Sequence, residues 1–208
     1  MSNPATQPSP HERFVSRAGQ KLLAAIDAFD LDPAGRVCAD LGANVGGFTD
    51  CLLQHGAAKV YAVDTGYGVL AWTLRKDPRV VVRERTNALH VKLPESVGFV
   101  AIDLGWTRQN KILPCAAALL AAEADVVTLI KPHYESEAAK TQRGVLSGDQ
   151  SEAVLAQVLD EIAGMKAADG GALWAIKGIT KSPLEGQKGN TEYLAWLRLA
   201  SQQRSEHS

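Results

Sequence analysis

Residues Val37–Thr49, which read VCADLGANVGGFT, decide the fold of this chain. Val37–Leu41 is a short apolar run broken only by Asp40, a pattern typical of a parallel strand buried on both faces. The glycines that follow tolerate positive φ and let a ligand approach bare backbone. A helix beginning near Gly46 would direct its free N–H groups at that ligand. The stretch therefore predicts a strand, a glycine-rich turn and a helix that together bind a nucleotide-like molecule.

The glycine spacing and a neighbouring carboxylate argue against a pyrophosphate ligand. Gly42, Gly46 and Gly47 run G-x-x-x-G-G, whereas the dinucleotide fingerprint is G-x-G-x-x-G, and no Walker lysine follows. Asp40 would repel a pyrophosphate, but it suits a cationic ligand such as the amino-acid end of S-adenosylmethionine. The loop alone leaves open a purely structural strand-to-helix turn.

The composition limits the class of protein. A chain of 208 residues can form one α/β domain with a sizeable core, and 46% hydrophobic residues are ordinary for a globular protein. The net charge of −1 gives no overall attraction to nucleic acid, so such binding would need a local basic surface. The three cysteines lack the spacing of a disulfide framework or a zinc site, and no apolar run is long enough to span a membrane. We expect a soluble, cytoplasmic protein with no membrane or metal partner.

The segment before the central stretch divides into two parts. Residues 1–12 carry three prolines among small polar residues, which predicts a disordered lead-in. Apolar residues then recur at helical spacing over residues 16–29, with the first of these residues as the N-cap. Arg13, Arg17 and Lys21 lie on or just before this predicted helix. A solvated helix face is the simplest interpretation of these cations taken alone.

Polar side chains end the strands predicted after the central stretch. The second strand, 59–64, ends in Asp64, and a carboxylate there accepts hydrogen bonds from ribose hydroxyls in doubly wound folds. The third, 79–82, is followed by Asn87, which would read a purine edge or make an Asx turn. The fourth ends in Asp103. Because the carboxyl ends of parallel strands meet at one edge of a sheet, we expect these side chains to face one crevice.

A fifth predicted strand, 126–130, brings Lys131 to the same edge. A lysine at the end of a buried strand is unusual, because desolvation lowers its pKa unless an acid is close. The remaining predictions are a helix over 112–124, a polar lid-like loop over 133–150, a helix over 154–165, a strand over 173–176, a turn-rich connection over 178–189, an antiparallel strand at or near a sheet edge over 190–197, and a polar tail over 201–208. We expect one domain over residues 13–200.

Four charged residues point to a known family. Lys21, Asp103, Lys131 and Glu192 occur in the order and setting of a Lys-Asp-Lys-Glu tetrad. With them, the chain resembles the FtsJ/RrmJ-type S-adenosylmethionine-dependent methyltransferases, which methylate RNA ribose 2′-hydroxyls, and it is most similar to their TlyA or hemolysin-like branch. The segments that carry the likeness are 14–22, 40–53, 61–68, 84–87, 131–132 and 189–194.

The resemblance implies a Rossmann-like class I methyltransferase, an α/β fold with helices on both faces of a seven-stranded, mostly parallel sheet whose last strand is antiparallel. It also implies S-adenosyl-L-methionine as the cofactor. The cofactor-binding residues that it implies are Asp40, Gly42, Ala43, Asn44, Gly46, Gly47, Phe48, Asp64, Asn87 and Asp103. In the implied chemistry, Lys131, positioned by Asp103 and Glu192, orients and deprotonates the hydroxyl. The implied partner is RNA, most often ribosomal, held on a basic face that includes Arg13, Arg17, Lys181 and Lys188.

The chain departs from this family where a substrate would bind. TlyA-like proteins carry a small N-terminal RNA-binding domain, where this chain has its proline-rich lead-in. The family usually has a Val-Ser-Phe-like turn after the aspartate of the tetrad, whereas Leu104-Gly105-Trp106 follows Asp103 here. A methyltransferase acting on a small molecule or a protein therefore stays open. A non-enzymatic binding protein or a pore-forming protein is the third alternative.

Overall fold

The computed structural model describes residues 13–136 and 144–200, so the predictions for the lead-in, the tail and part of the lid-like loop lie outside the described residues. The strands are β1 (Val37–Leu41), β2 (Lys59–Val63), β3 (Val80–Arg83), β4 (Val97–Ile102), β5 (Leu120–Ile130), β6 (Trp174–Lys181) and β7 (Tyr193–Leu199). The helices are α1 (Gly19–Phe29), α2 (Gly47–Gln54), α3 (Trp72–Lys76), α4 (Gln109–Ala117), α5 (Pro132–Glu135) and α6 (Gly148–Gly164), with a 3-10 turn at Gln187–Gly189.

All seven strands form one sheet in the order β3-β2-β1-β4-β5-β7-β6. The first five strands pair in parallel, and β7 runs antiparallel to both of its neighbours. This arrangement confirms the predicted seven-stranded, mostly parallel sheet with an antiparallel last strand. The last strand lies next to the edge, which β6 occupies.

Helices cover both faces of the sheet, because alternate residues of each strand enter different cores. On β1, Cys38 packs in a core with residues of α1, α2 and α3. Its neighbour Ala39 packs in a second core with residues of α4 and α6. The apolar run that predicts β1 is therefore buried on both sides, as expected for a central parallel strand.

The central stretch folds as predicted, because β1 has the expected bounds and α2 begins directly after Gly46. Gly42 and Gly46 have φ values of +100° and +106°, which glycine adopts without strain. Helices α1 and α2 cross at close range. A Cβ on Gly47 would lie only 2.8 Å from the Gly19 nitrogen, so the crossing leaves no room for a side chain there. This crossing brings the first turn of α1 beside the glycine-rich loop.

Two predicted segments were wrong in type. The helix predicted over 112–124 ends at Ala117, and residues from Leu120 onward belong to β5, which pairs with β4 at Leu120 and again from Asp125 with a register shift between them. The turn predicted from residue 178 is instead the second half of β6, which pairs with β7. A Cβ on Gly178 would lie 2.6 Å from the Phe29 ring, so this glycine permits close packing of α1 rather than a turn.

Two helix starts also differ from the prediction. Helix α1 begins at Gly19, with Ala18 as its N-cap, whereas the sequence predicts residue 16 as the N-cap. Helix α6 begins at Gly148, within the predicted loop, because Ser147 and Gln150 form a capping box. Within residues 13–136 and 144–200, no helix combines the length and the apolar character that crossing a bilayer requires.

Candidate active site

A cavity of about 730 Å³ opens at the carboxyl ends of the parallel strands, the edge where the sequence predicts a crevice. Its volume is within the usual range for small-molecule and cofactor sites. The predicted residues that line it are Lys21, Gly42, Ala43, Asn44, Gly47, Phe48, Asp64, Asn87, Asp103, Lys131 and Glu192. Asp40 and Gly46 are not among its lining residues.

The glycine-rich loop forms one wall of the cavity and packs tightly against the end of β4. A Cβ on Gly42 would lie 2.4 Å from the carbonyl oxygen of Asp103, so only glycine fits between the ends of β1 and β4. Asn44 has a φ of +49° and donates its backbone N–H to Asp64 Oδ2 at 2.8 Å. The loop is thus fixed against the end of β2 before any ligand is present.

Asp64 and Asn87 lie on the wall formed by the ends of β2 and β3. Asp64 Oδ1 accepts the N–H of Gly66 at 2.7 Å, which orients the carboxylate at the cavity. Asn87 Oδ1 accepts the N–H of Leu89 at 2.9 Å, so the side chain makes an Asx turn and also lines the cavity. The Asx turn is therefore confirmed, and the contact of Asn87 with a purine edge stays a prediction.

Asp40 stabilises the start of α2 instead of lining the cavity. Its Oδ2 accepts hydrogen bonds from the backbone N–H and the hydroxyl of Thr49, at 2.8 and 2.7 Å. Its Oδ1 is buried and has no hydrogen-bond partner in the described part of the chain. Burial raises the pKa of Asp40 to about 7, against the opposing effect of the Thr49 hydrogen bond. The charges of Asp103 and Asp64, which line the cavity, also raise the pKa of Asp40, so this carboxyl is electrostatically coupled to the cavity wall.

The four predicted tetrad residues form two ion pairs on the cavity wall. Lys21 on α1 pairs with Glu192, which directly precedes β7, and both side chains are buried. Lys131, after β5, lies 2.5 Å from Asp103 Oδ1 and donates to the carbonyl of Leu104 at 3.2 Å. Four distant parts of the sequence thus supply alternating charges to one surface of the cavity.

Neighbouring residues leave little freedom for these charges. A Cβ on Gly186 would lie 2.2 Å from a Glu192 carboxylate oxygen, so the loop before β7 closes tightly over this carboxylate. Helix α5, which follows Lys131, is anchored to α4 because Glu135 accepts the N–H of Gln109 at 2.9 Å. Burial raises the pKa of Glu135 to about 7.

Three aromatic residues of the cavity wall were not predicted from the sequence. His133 is buried, and burial together with the charges of Lys131 and Lys21 lowers its pKa to about 4. Trp106 is 83% exposed, and its ring lies 4.4 Å from that of Tyr134. The position of these residues just after two strands that end in predicted site residues is the sequence signal that could have identified them.

The residues present fit S-adenosyl-L-methionine. The glycine wall admits a ligand to bare backbone, and the carboxylates of Asp64 and Asp103 suit a ligand that carries hydroxyls and a positive charge. The strand order and the position of this cavity are those of the class I methyltransferase fold. It belongs to the FtsJ-like methyltransferase family, whose model matches residues 14–199, and it is an S-adenosylmethionine-dependent enzyme.

Known proteins are similar to this chain over most of its length. The chain is 42% identical over 192 residues to the 16S/23S rRNA (cytidine-2′-O)-methyltransferase TlyA of Mycobacterium tuberculosis, covering 89% of this chain and 68% of that protein. It is 38% identical over 187 residues to Hemolysin A of Brachyspira hyodysenteriae, covering 88% and 76%. A solved structure described as a candidate hemolysin from Streptococcus thermophilus matches with a TM-score of 0.83 and 34% identity, covering 94% and 69%.

Proposed function

We propose that this protein methylates a ribose 2′-hydroxyl of RNA, with ribosomal RNA as the first substrate to test. The observation that carries the proposal is the pair of lysine–carboxylate ion pairs, Lys21–Glu192 and Lys131–Asp103, on the wall of the cofactor cavity. The named activity of the Mycobacterium tuberculosis relative supports it. Such a substrate implies that the enzyme works in the cytoplasm.

The chemistry requires a base beside the hydroxyl, because a ribose hydroxyl is a poor nucleophile at neutral pH. When bound, the cofactor supplies an electrophilic methyl group on a sulfonium. In the proposed mechanism Lys131, held by Asp103 and the carbonyl of Leu104, orients the hydroxyl. After its ammonium group has released a proton to solvent, the neutral amine accepts the proton of the hydroxyl as the oxygen takes up the methyl group. The Lys21–Glu192 pair lies on the same wall of the cavity and would hold the acceptor in one geometry.

Aromatic residues at the cavity wall offer a contact for the base of the target nucleotide. The Trp106 ring packs on Tyr134, and Lys131 Nζ lies 5.7 Å from the centre of the Tyr134 ring. RNA-binding proteins commonly stack unpaired bases on such rings. Both aromatic residues would therefore place the base within reach of the proposed catalytic lysine.

A basic face is the proposed contact for the RNA backbone. The cations Arg13, Arg17, Lys181 and Lys188 are all exposed, and Arg17 also lines the cavity. Since the net charge of the chain is −1, phosphate attraction would have to come from local groups such as these.

Methyl transfer to RNA tests the proposal directly. The protein is incubated with labelled S-adenosylmethionine and total RNA or ribosomal subunits, and alkali-resistant linkages are mapped. Label at a discrete ribose is expected, and Lys131→Ala should not produce it. A wild-type protein that binds the cofactor but labels no RNA, or that labels a base instead of a ribose, would overturn the proposal. Label recovered in protein or in small molecules would favour the second class of acceptor.

A further inference from the structure

Two exposed aromatic side chains lie outside the cavity, on the segment from the end of β2 to the start of α3. Tyr67 is 70% exposed and Trp72 is 67% exposed. A cation lies over each ring, because the Arg85 guanidinium is 4.0 Å from the Tyr67 centroid and Lys76 Nζ is 4.9 Å from the Trp72 centroid. We refer to Tyr67, Trp72, Arg85 and Lys76 as the aromatic strip.

The backbone beneath the strip is fixed by one carboxylate. Glu84 accepts the N–H groups of Gly68, Val69 and Leu70 at 3.0, 3.2 and 3.4 Å. The same carboxylate forms an ion pair with Arg75 of α3. The segment that presents the rings is therefore organised in advance, which reduces the entropy lost when a ligand binds.

The charge that the strip presents is positive. The carboxylate of Glu84 is engaged by the backbone and Arg75, and Asp77 pairs with Arg79 at 2.7 Å. Among the described residues, neither cation of the strip is paired with a carboxylate. An exposed surface with aromatic rings and neighbouring cations is complementary to a nucleic acid, whose flat bases stack on rings and whose phosphates are anionic.

The strip is continuous in sequence with the cavity wall. Tyr67 directly follows Gly66, and Arg85 directly precedes Thr86, and both Gly66 and Thr86 line the cavity. A strand of RNA whose target ribose enters the cavity could thus continue across this surface.

We propose that the aromatic strip binds a single-stranded segment of the RNA substrate flanking the target nucleotide, with bases stacked on Tyr67 and Trp72. Arg85 and Lys76 neutralise the adjacent phosphates. The inference rests on the proposed function, since the flanking segment belongs to the RNA that is methylated. It adds a second contact surface to the one at the catalytic residues.

Steady-state methylation and direct binding test the strip together. With an RNA fragment that contains the mapped ribose and single-stranded flanks, the Tyr67→Ala/Trp72→Ala variant should raise KM and the RNA Kd by roughly ten-fold or more. Its kcat at saturating RNA and its affinity for S-adenosylmethionine should stay at wild-type values. Tyr67→Phe/Trp72→Phe keeps two flat rings and should restore most of the binding.

A substitution far from the aromatic strip serves as the control for a nonspecific effect of changing an exposed side chain. Lys166→Ala removes an exposed cation just after α6, at the opposite edge of the sheet, and should leave KM unchanged. Equal KM and RNA Kd for the wild type and the alanine variant would overturn the proposal that the aromatic strip binds RNA, while leaving the proposed function intact. Absence of any RNA methylation by the wild type would instead defeat the proposed function. Loss of a protein–protein association in the variant, with RNA binding unchanged, would assign the strip to a protein partner and overturn the inference.

Discussion

Lys21 and Glu192 form a buried ion pair although 171 residues separate them in the sequence. Their side chains are only 9% and 3% exposed, so removing one partner leaves the other charge uncompensated in the interior. We expect Glu192→Ala to lower the free energy of unfolding by about 3–5 kcal/mol, as measured by urea denaturation. Lys59→Ala breaks an exposed pair with Glu95 and should change stability little. Equal losses of unfolding free energy in the two variants would show that the buried pair matters no more for stability than an exposed one.

Lys131 is expected to act in methyl transfer rather than in cofactor binding. Lys131→Ala should reduce the rate of methyl transfer by about 100-fold or more, because the hydroxyl loses its base and its orientation. The affinity for S-adenosylmethionine, measured by calorimetry, should stay within several-fold of the wild type. Lys111→Ala, on the exposed side of α4, is the matched lysine control and should behave as wild type. If the affinity for S-adenosylmethionine and the rate of methyl transfer fell together, Lys131 would be a cofactor-binding residue and not the base for the hydroxyl.

Gly42 is expected to be essential for the shape of the cofactor cavity. In Gly42→Ala the new methyl group would meet the Asp103 carbonyl oxygen, and the φ of +100° would also be strained. We expect weaker cofactor binding and a lower melting temperature, measured by calorimetry. Gly35→Ala isolates the strain, because Gly35 has a φ of +70° but no atom within 4 Å of its Cβ position. A Gly42→Ala protein no worse than Gly35→Ala would mean that the wall yields to a methyl group.

Glu135 should make stability depend on pH. Burial raises its pKa from 4.5 to about 7, so between these values the folded protein holds a proton that the unfolded chain has released. The free energy of unfolding contributed by this group therefore falls as the pH rises from about 5 to 7. Glu135→Gln keeps an acceptor for the Gln109 N–H and removes the titration, so the variant should gain stability relative to the wild type across this range. The measurement is urea unfolding at several pH values, and parallel curves for the two proteins would contradict the assignment.

The sequence was most informative where local chemistry determines the structure. The apolar run and the glycines predicted the bounds of β1 and the start of α2 correctly, because each of these signals acts over a few neighbouring residues. The alanine-rich residues 121–124 in the first half of β5 carry no clear periodicity, and the pairing with β4 that defines the strand lies on either side of them, at Leu120 and from Asp125 onward. The helical prediction there failed for that reason.

The candidate site was predicted in composition more completely than in geometry. Lys21 and Glu192 could be picked out as charges in order, but their pairing depends on how α1 packs beside β7. Asp40 precedes the loop in sequence, yet strand alternation turns its side chain toward α2 and Thr49. The low pKa of His133 likewise follows from burial and from two lysines that are remote from each other in the chain.

The position of β7 has a consequence for synthesis of the protein. β6 is made earlier, but its neighbour in the sheet is β7, which inserts between β5 and β6. On the ribosome, a nascent chain that lacks residues 192–199 has no partner for the buried Lys21 and exposes two strand edges. Such late, long-range pairing is slow compared with local folding. The sheet therefore cannot be completed until residues 192–199 have emerged, and this interval is when the unpaired strand edges most favour aggregation.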